Sequence, residues 1–484
     1  MDKILYEYGY IGSKGFTIGK DKLTKEQIKK LKQSLIVKPF IPDSAKMTPN
    51  YTTPSFPVYR ESMFKLYLPR FYVYRTYLND KEYLSIQSKI QNQGILKNNF
   101  EFKGELRDFQ KPIIQSFLDS KTQSGLLELA CGMGKTVCAL YIASKLKRKT
   151  IIIVHKEFLM NQWIERIKQF LPSVKIGKIQ GSTIDIENKE IVIGMLQSIS
   201  MKEYPQSLFQ YFGFAVFDEC HHISAEVFCR SLFKIVCPYM LGLSATMKRK
   251  DGLTKVFKMF LDQVVYKKIK RDKQQCVHVY QIPYSINDKE YNETPLNYMG
   301  KVHHSLLIKK ICEYTPRCEF IINIIKKIFN EEPRHQLMVL AHNKSLLNYL
   351  YTAITARNIQ SVGYYIGGMK EKDLNETANN KKIVLATYAM AEEALDIKTL
   401  SALLMASPRS DVTQAVGRIL RTHHKQQPVV YDIIDSHQVF KVQSNKRTKF
   451  YKSQGFKLMN DDTEKKSLQT KPIKECFIDL TYIN

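Results

Sequence analysis

Three stretches of the chain carry residue types whose spacing can do phosphate chemistry. The first is LELACGMGKT, residues 127–136. Gly132 and Gly134 lack a β-carbon, so the backbone can curl its N–H groups around an anion. Lys135 can then reach the outer phosphates of a nucleotide, and the Thr136 hydroxyl can ligate Mg2+. The full glycine-rich pattern has a glycine at position 129, where this chain has Leu129. Taken alone, GxGKT also fits a plain glycine turn.

The second stretch is FAVFDECHH, residues 214–222. Hydrolysis of a nucleoside triphosphate needs one carboxylate to hold the metal and another to orient and deprotonate water. Asp218 is expected to face the metal through water, and Glu219 to lie nearer the γ-phosphate. His221 and His222 lack a companion cluster for metal binding, so inter-domain coupling is the expected role. The third stretch is QAVGRILR, where Gln414, Arg418 and Arg421 fall at i, i+4 and i+7 on one helix face. Two arginines on one face suit a phosphate clamp, and a solvated basic face would read the same.

These side chains need elements to hold them. Val137, Leu140, Ala143 and Leu146 recur at helical spacing, which predicts a helix from about Lys135. Its dipole points at the glycine turn. The runs TIIIVH (150–155), IVIGM (191–195), FAVFD (214–218) and YMLGLSA (239–245) are short, apolar and separated by helical stretches. Such runs predict a parallel sheet covered on both faces. Residues that follow the strands lie at the carboxyl edge, where α/β sheets bind ligands; Thr136, Asp218, Ser244 and Thr246 all fall there. A second set, LMVLAH (337–342), SVGYYI (361–366), IVLATY (383–388), ALLMAS (402–407) and VVYDIID (429–435), predicts a second α/β domain.

Before residue 95 the chain carries no comparable motif. Thr24 is placed to cap a basic helix reaching Leu35. The run PVYRESMFKLYLPRFYVYRTYL interleaves basic residues with aromatics, which suits stacking on nucleic acid, although a small β-rich module with an aromatic core is the slightly favoured reading. KKIKRDKQQ (267–275) is a polar basic break and reads as a hinge. After about Tyr451 the chain turns polar and lysine-rich, which reads as a tail.

The 484 residues carry 74 Lys+Arg against 46 Asp+Glu, a net charge of +28 that favours a polyanion partner, nucleic acid before membrane. A lysine-rich composition bias would give the same excess. No apolar run approaches the ~18 residues of a membrane span, and MDKILYEYGY lacks the order of a signal peptide. Nine cysteines without a CxxC favour free thiols in a reducing, intracellular compartment over a zinc site.

Together the motifs resemble the superfamily 2 helicases, DExH type, best in the XPB-like branch and its relatives in large nucleocytoplasmic DNA viruses. ELACGMGKT looks like motif I, LRDFQ like the adenine-contact motif with Gln110 as reader, and IVHKEFLMNQW and GMLQSIS like motifs Ia and Ic. DECHH resembles motif II, LSAT motif III, VLAHNKSLLNYL motif IV, and ATYAMAEEALD with QAVGRILR motifs V and VI. The likeness covers roughly residues 50 to 440. Two departures stand out: Ala394 replaces the glycine of motif V, and Met247 replaces the proline after motif III. The first could weaken domain closure, and the second is expected to be minor.

The resemblance implies an α/β protein of two tandem RecA-like parallel-sheet domains with a small N-terminal module. The expected spans are 1–95 for the module, 96–270 for the ATP-binding domain, 271–302 for a hinge, 303–455 for the second domain and 456–484 for a basic tail. It implies ATP and Mg2+ as cofactors. Glu219, Lys135, Arg418, Arg421 and Gln414 would be catalytic. Gln110, Cys131, Gly132, Met133, Gly134, Lys135, Thr136 and Asp396 would hold nucleotide, and Thr136 and Asp218 the metal. His222, Ser244 and Thr246 would couple the domains. Lys156, Gln197, Ser198, Asn343 and Thr387 would grip DNA or RNA by its backbone, without reading sequence. Trp163, the only tryptophan, reads as a core anchor. The implied activity is strand separation or translocation in viral transcription or genome maintenance, in the host cytoplasm or packaged in the virion; a helicase-like clamp that hydrolyses ATP without unwinding is the alternative.

Overall fold

The computed structural model describes residues 1–40, 55–96, 100–130, 132–220, 225–247, 251–268, 276–298, 300–331, 336–393, 397, 399–419 and 426–459. The chain forms two compact units, Met1–Arg271 and Asp272–Asn484.

The first unit is built on an eight-stranded sheet. Its order is Thr183–Asp185, Ile176–Gln180, Ile191–Met195, Thr150–Val154, Phe214–Phe217, Tyr239–Ser244, Gly125–Leu129 and Val264–Lys268. All pairings are parallel except that of the short Thr183–Asp185 edge strand. The central strands are buried along their whole length, which is why they read as unbroken apolar runs. The strands ending at the glycine turn and at Asp218 both neighbour Tyr239–Ser244, so motifs I, II and III meet at one carboxyl edge.

The N-terminal residues add a second, antiparallel sheet in the order Tyr10–Gly12, Gly15–Gly19, Lys65–Leu68 and Arg60–Glu61. Thr24 caps the Lys25–Ser34 helix with a full capping box, as expected. RFYVYRTY, by contrast, is a helix, Arg70–Tyr77. Its aromatics Phe71 and Tyr74 are buried in the same cluster as Phe257 and Phe260, on helix Thr254–Leu261, and Phe233, just after helix Ala225–Leu232. The Arg70 guanidinium donates to the carbonyls of Cys237 at 2.6 Å and Pro238 at 3.2 Å.

The second unit carries a seven-stranded, wholly parallel sheet. Its order is Val362–Tyr365, Ile383–Thr387, Leu337–Ala341, Ala402–Met405, Val429–Asp435, His278–Tyr284 and Lys457–Met459. The five strands read from the sequence are all present. His278–Tyr284 lies within the span expected to be a hinge and is instead a sheet strand paired with Val429–Asp435. Lys457–Met459, at the start of the expected tail, closes the same sheet. No helix among the described residues is long and apolar enough to cross a membrane.

Candidate phosphate and carboxylate site

The buried strand Gly125–Leu129 delivers the chain to a turn in which Gly132 and Gly134 both take left-handed φ, +77° and +75°. Only glycine adopts that backbone without steric cost. Helix Lys135–Leu146 starts immediately after, so Lys135 and Thr136 stand in its first turn. A β-carbon at Gly134 would lie 2.3 Å from Gln110 Nε2, and that amide donates to the Met133 carbonyl at 3.3 Å. Gln110 Oε1 accepts from the Arg107 N–H at 3.0 Å. Gln110 is thus buried against the turn and ties the segment before it to the loop.

The carboxylates follow strand Phe214–Phe217, which Tyr239–Ser244 separates from the cradle strand. Consecutive residues of an extended strand point to opposite faces. Here the strand ends at Phe217, and Glu219 takes a left-handed φ of +45°. Its N–H donates to Asp218 Oδ1 at 2.9 Å, which holds this conformation, strained for a non-glycine residue. The turn lets both carboxylates serve one site. Glu219 Oε1 lies 2.6 Å from Lys135 Nζ, with both side chains largely buried. Asp218 Oδ2 accepts from the Trp163 indole N–H at 2.8 Å.

Burial, and then the charge of Glu219, raise the Asp218 pKa from 3.8 to about 6; Lys135, Trp163 and the Glu219 N–H pull the other way. A buried carboxylate with a second carboxylate beside it and a threonine hydroxyl in the adjoining turn is a hard oxygen donor set suited to Mg2+. Asp218 and Thr136 would hold such an ion, which would neutralise phosphate charge.

Motif III connects to the cradle through a residue that the sequence did not single out. Glu128, buried in the cradle strand, accepts from the Met247 N–H at 3.1 Å and pairs with Lys267 at 2.9 Å. Ser244 Oγ donates to the Thr246 carbonyl at 2.6 Å and accepts from the Thr246 N–H at 3.2 Å, so the two residues form one tight turn. The proline expected after motif III could not make the bond to Glu128, because it has no N–H. The change to Met247 therefore carries a structural consequence.

At the same edge, the Gln197 amide donates to the His155 carbonyl at 2.8 Å, and Ser198 Oγ accepts from the Gly181 N–H at 2.9 Å. Lys156 is the N-cap of helix Glu157–Phe170. Trp163 is 2% exposed, a core anchor as expected, but its bond to Asp218 was not foreseen.

In the second unit, Gln414 and Arg418 lie on helix Thr413–Ile419. The loop leading into that helix is held by four successive carbonyls. Ala406 accepts from Arg317 at 2.9 Å, Ser407 from the Tyr388 hydroxyl at 2.7 Å, and Arg409 from Arg447 at 2.5 Å. The Pro408 carbonyl lies 2.9 Å from His342 Nε2, which fixes that nitrogen as the protonated one. Arg317 and Arg447 are themselves anchored by buried pairs with Asp435 and Asp432. Asn343 is the N-cap of helix Lys344–Ala356, and Thr387 ends its strand with Oγ1 3.4 Å from the Met390 N–H. Cys131, His221, His222, Ala394, Asp396 and Arg421 lie outside the described residues.

Residues 103–249 match the family described as type III restriction enzyme, res subunit. A candidate ATP-dependent RNA helicase of Acanthamoeba polyphaga mimivirus is 30% identical over 455 residues, 92% of this chain and 85% of the viral protein. The chain belongs to the superfamily 2 helicases. A candidate helicase of Invertebrate iridescent virus 6 is 29% identical, over 74% of this chain and 85% of its own. A candidate ATP-dependent RNA helicase of African swine fever virus is 26% identical, over 68% and 69%. Among solved structures, S. cerevisiae Dbp5 bound to RNA and ADP BeF3 aligns with a TM-score of 0.52 at 12% identity, covering 73% of this chain and 88% of that one. That likeness is one of fold. It agrees with the helicase family's tandem parallel-sheet domains.

Proposed function

We propose that the protein is an ATP-dependent, Mg2+-requiring helicase or translocase acting on nucleic acid. The observation that carries this is the Lys135–Glu219 pair at 2.6 Å, set beside the buried Asp218 at the mouth of a two-glycine turn. A triphosphate entering the turn competes for Lys135. As the ammonium transfers to the phosphates, the Glu219 carboxylate is released to orient and deprotonate water. The family membership and the names of the viral relatives support ATP as the nucleotide. The net charge of +28 supports a nucleic-acid track.

In this reading Arg418 and Arg421 act as arginine fingers, which stabilise the transferring phosphoryl group by roughly 10³–10⁵-fold in other NTPases. Gln414 stands on the helix that carries Arg418, and Asp396 and Cys131 complete the nucleotide contacts. Backbone-gripping residues Lys156, Gln197, Ser198, Asn343 and Thr387 make the grip independent of sequence. The relatives are viral helicases, and the reading extends to a role in viral transcription or genome maintenance within the host cytoplasm.

The test is an ATPase assay on purified protein with single-stranded DNA, duplex DNA and RNA as stimulants. Stimulation by at least one polymer, abolished in Lys135→Ala and Glu219→Gln, is the expected result. Robust hydrolysis by Glu219→Gln would remove Glu219 from the role of base. A strand-displacement assay on the stimulating polymer separates a helicase from a clamp that only hydrolyses.

A further inference from the structure

The N-terminal antiparallel sheet has two unlike faces. Phe16, Ile18, Leu66 and Leu68 fill the inner one and are fully buried. On the outer face, Tyr10, Thr17, Tyr67 and Arg60 stand opposite one another across the four strands, in a single row. Directly opposed residues in an antiparallel sheet share a face. Tyr10 keeps 39% of its surface exposed. Lys65 Nζ bonds the Tyr10 hydroxyl at 2.9 Å, and Lys14 Nζ lies 5.2 Å from the centre of the Tyr67 ring. Gly12 and Gly19 occupy other outward positions and add no side chain; the Tyr10 ring lies over Gly12, where an added β-carbon would meet it at 3.1 Å, and Tyr67 is partly buried against the core.

No outward position of these strands carries a carboxylate. Glu61, of opposite phase on the edge strand, is already tied to Lys20 at 2.6 Å and Lys32 at 2.7 Å. The face therefore combines two aromatic rings with a purely positive set of charges. A row two strands wide separates the rings by roughly 10 Å, which leaves room for one base on each. Aromatic platforms need unstacked bases, which a duplex does not offer. Thr17 is 2% exposed and its hydroxyl donates to the Gly15 carbonyl at 3.2 Å, so it does not read a 2′-hydroxyl.

From this we infer that the outer face of the N-terminal sheet is a docking platform for single-stranded nucleic acid, DNA and RNA alike, with bases on Tyr10 and Tyr67 and phosphates at Lys14, Lys65 and Arg60. The platform deepens the helicase reading by giving the motor a second grip on a separated strand.

The test is fluorescence anisotropy of the full-length protein, without nucleotide, against labelled oligothymidylate, oligouridylate and a duplex. Tyr10→Ala should weaken both single strands by roughly tenfold, in line with the loss of one stacked base, while Tyr10→Phe binds like wild type. Lys14→Glu combined with Lys65→Glu changes only exposed positions. It should weaken single-strand binding and flatten its salt dependence, with an unchanged melting temperature as the control for folding. Wild-type affinity in both Tyr10→Ala and the double lysine variant overturns this inference and leaves the motor reading standing. Equal loss of duplex binding in these variants also overturns it. A wild-type protein with no salt-sensitive binding to any of the three polymers removes both readings.

Discussion

Asp218 shows most directly how a single residue is tuned by its surroundings. Burial and the neighbouring Glu219 raise its pKa to about 6 from 3.8. A raised carboxyl pKa favours the folded state while the group is protonated. That contribution is complete below the ordinary value and fades as the pH climbs from about 4 through about 6. Above that window the folded protein holds a buried anion beside a second carboxylate, and a divalent cation relieves the strain. The thermal stabilisation given by Mg2+ with ADP should therefore grow between about pH 5 and about pH 8. In Asp218→Asn it should stay flat; a shift independent of pH in wild type would remove Asp218 from the metal site.

Trp163→Phe tests the other side of the same carboxylate. It keeps an aromatic ring but removes the donor that stands 2.8 Å from Asp218 Oδ2. Leaving a buried acceptor without its donor costs about 1–3 kcal/mol. A denaturant titration should show that loss, and a Mg2+ titration of ATPase should show a higher metal requirement. The sequence made the types and order of Lys135, Thr136, Asp218 and Glu219 legible because short motifs fix them locally. It did not show the Trp163–Asp218 bond, because 55 residues separate the partners and only the sheet order brings them together. The left-handed turn at Glu219 was hidden for a different reason: a glutamate carries no signal for positive φ.

Among the elements, legibility followed burial. Strands buried on both faces, such as Thr150–Val154 and Leu337–Ala341, are continuous apolar runs and were read correctly. The strands that went unread lie towards the sheet edges and carry mixed patterns. Ile176–Gln180 alternates between buried and more exposed positions, and Val264–Lys268 ends in two lysines inside the charge run. His278–Tyr284 was hidden by its nearness to the same run. Met247 shows why a departure from a family pattern needs the fold to be weighed. Met247→Pro would restore the common sequence yet delete the N–H that satisfies Glu128, a residue only 5% exposed. We expect it to lower stability by about 1–3 kcal/mol, read as a shifted denaturation midpoint, and to slow nucleic-acid-stimulated hydrolysis. Unchanged stability would show that Lys267 alone suffices for Glu128. In the second unit, Tyr388→Phe should release the Ser407 carbonyl and cost about 1–2 kcal/mol; because it loosens the loop feeding helix Thr413–Ile419, it should lower kcat more than it raises KM for ATP.

At the scale of the molecule, a charge break and a motif boundary suggested separable pieces, and the packing of the first unit argues for a different unit of folding. Leu5, Phe16, Leu68, Phe71 and Tyr74 share one apolar cluster with Leu232, Phe233, Phe257 and Phe260. The same seam is crossed by Arg75, which holds Asp262 through two bonds of 2.8 Å, and by Gln87, whose amide donates to the Thr122 and Pro238 carbonyls. Removing residues 1–95 would bare the apolar side of that cluster, and exposed apolar surface of this kind drives aggregation. A chain starting at residue 96 should therefore be poorly soluble, or monomeric only with a sharply lowered melting temperature and strong binding of a hydrophobic dye. Arg75→Ala offers a graded version of the same experiment. It leaves Asp262, 2% exposed, with Thr122 as its remaining side-chain partner. The loss should be about 1–3 kcal/mol, short of a fully buried pair because Arg75 is itself partly exposed. In that variant, loss of ATPase on heating should track loss of tertiary structure in a single transition, since cradle and N-terminal sheet rest on one continuous fold. A truncated chain that stays monomeric and melts with the full-length protein would show instead that the module is an appendage, and that the helicase lobe carries its core without it.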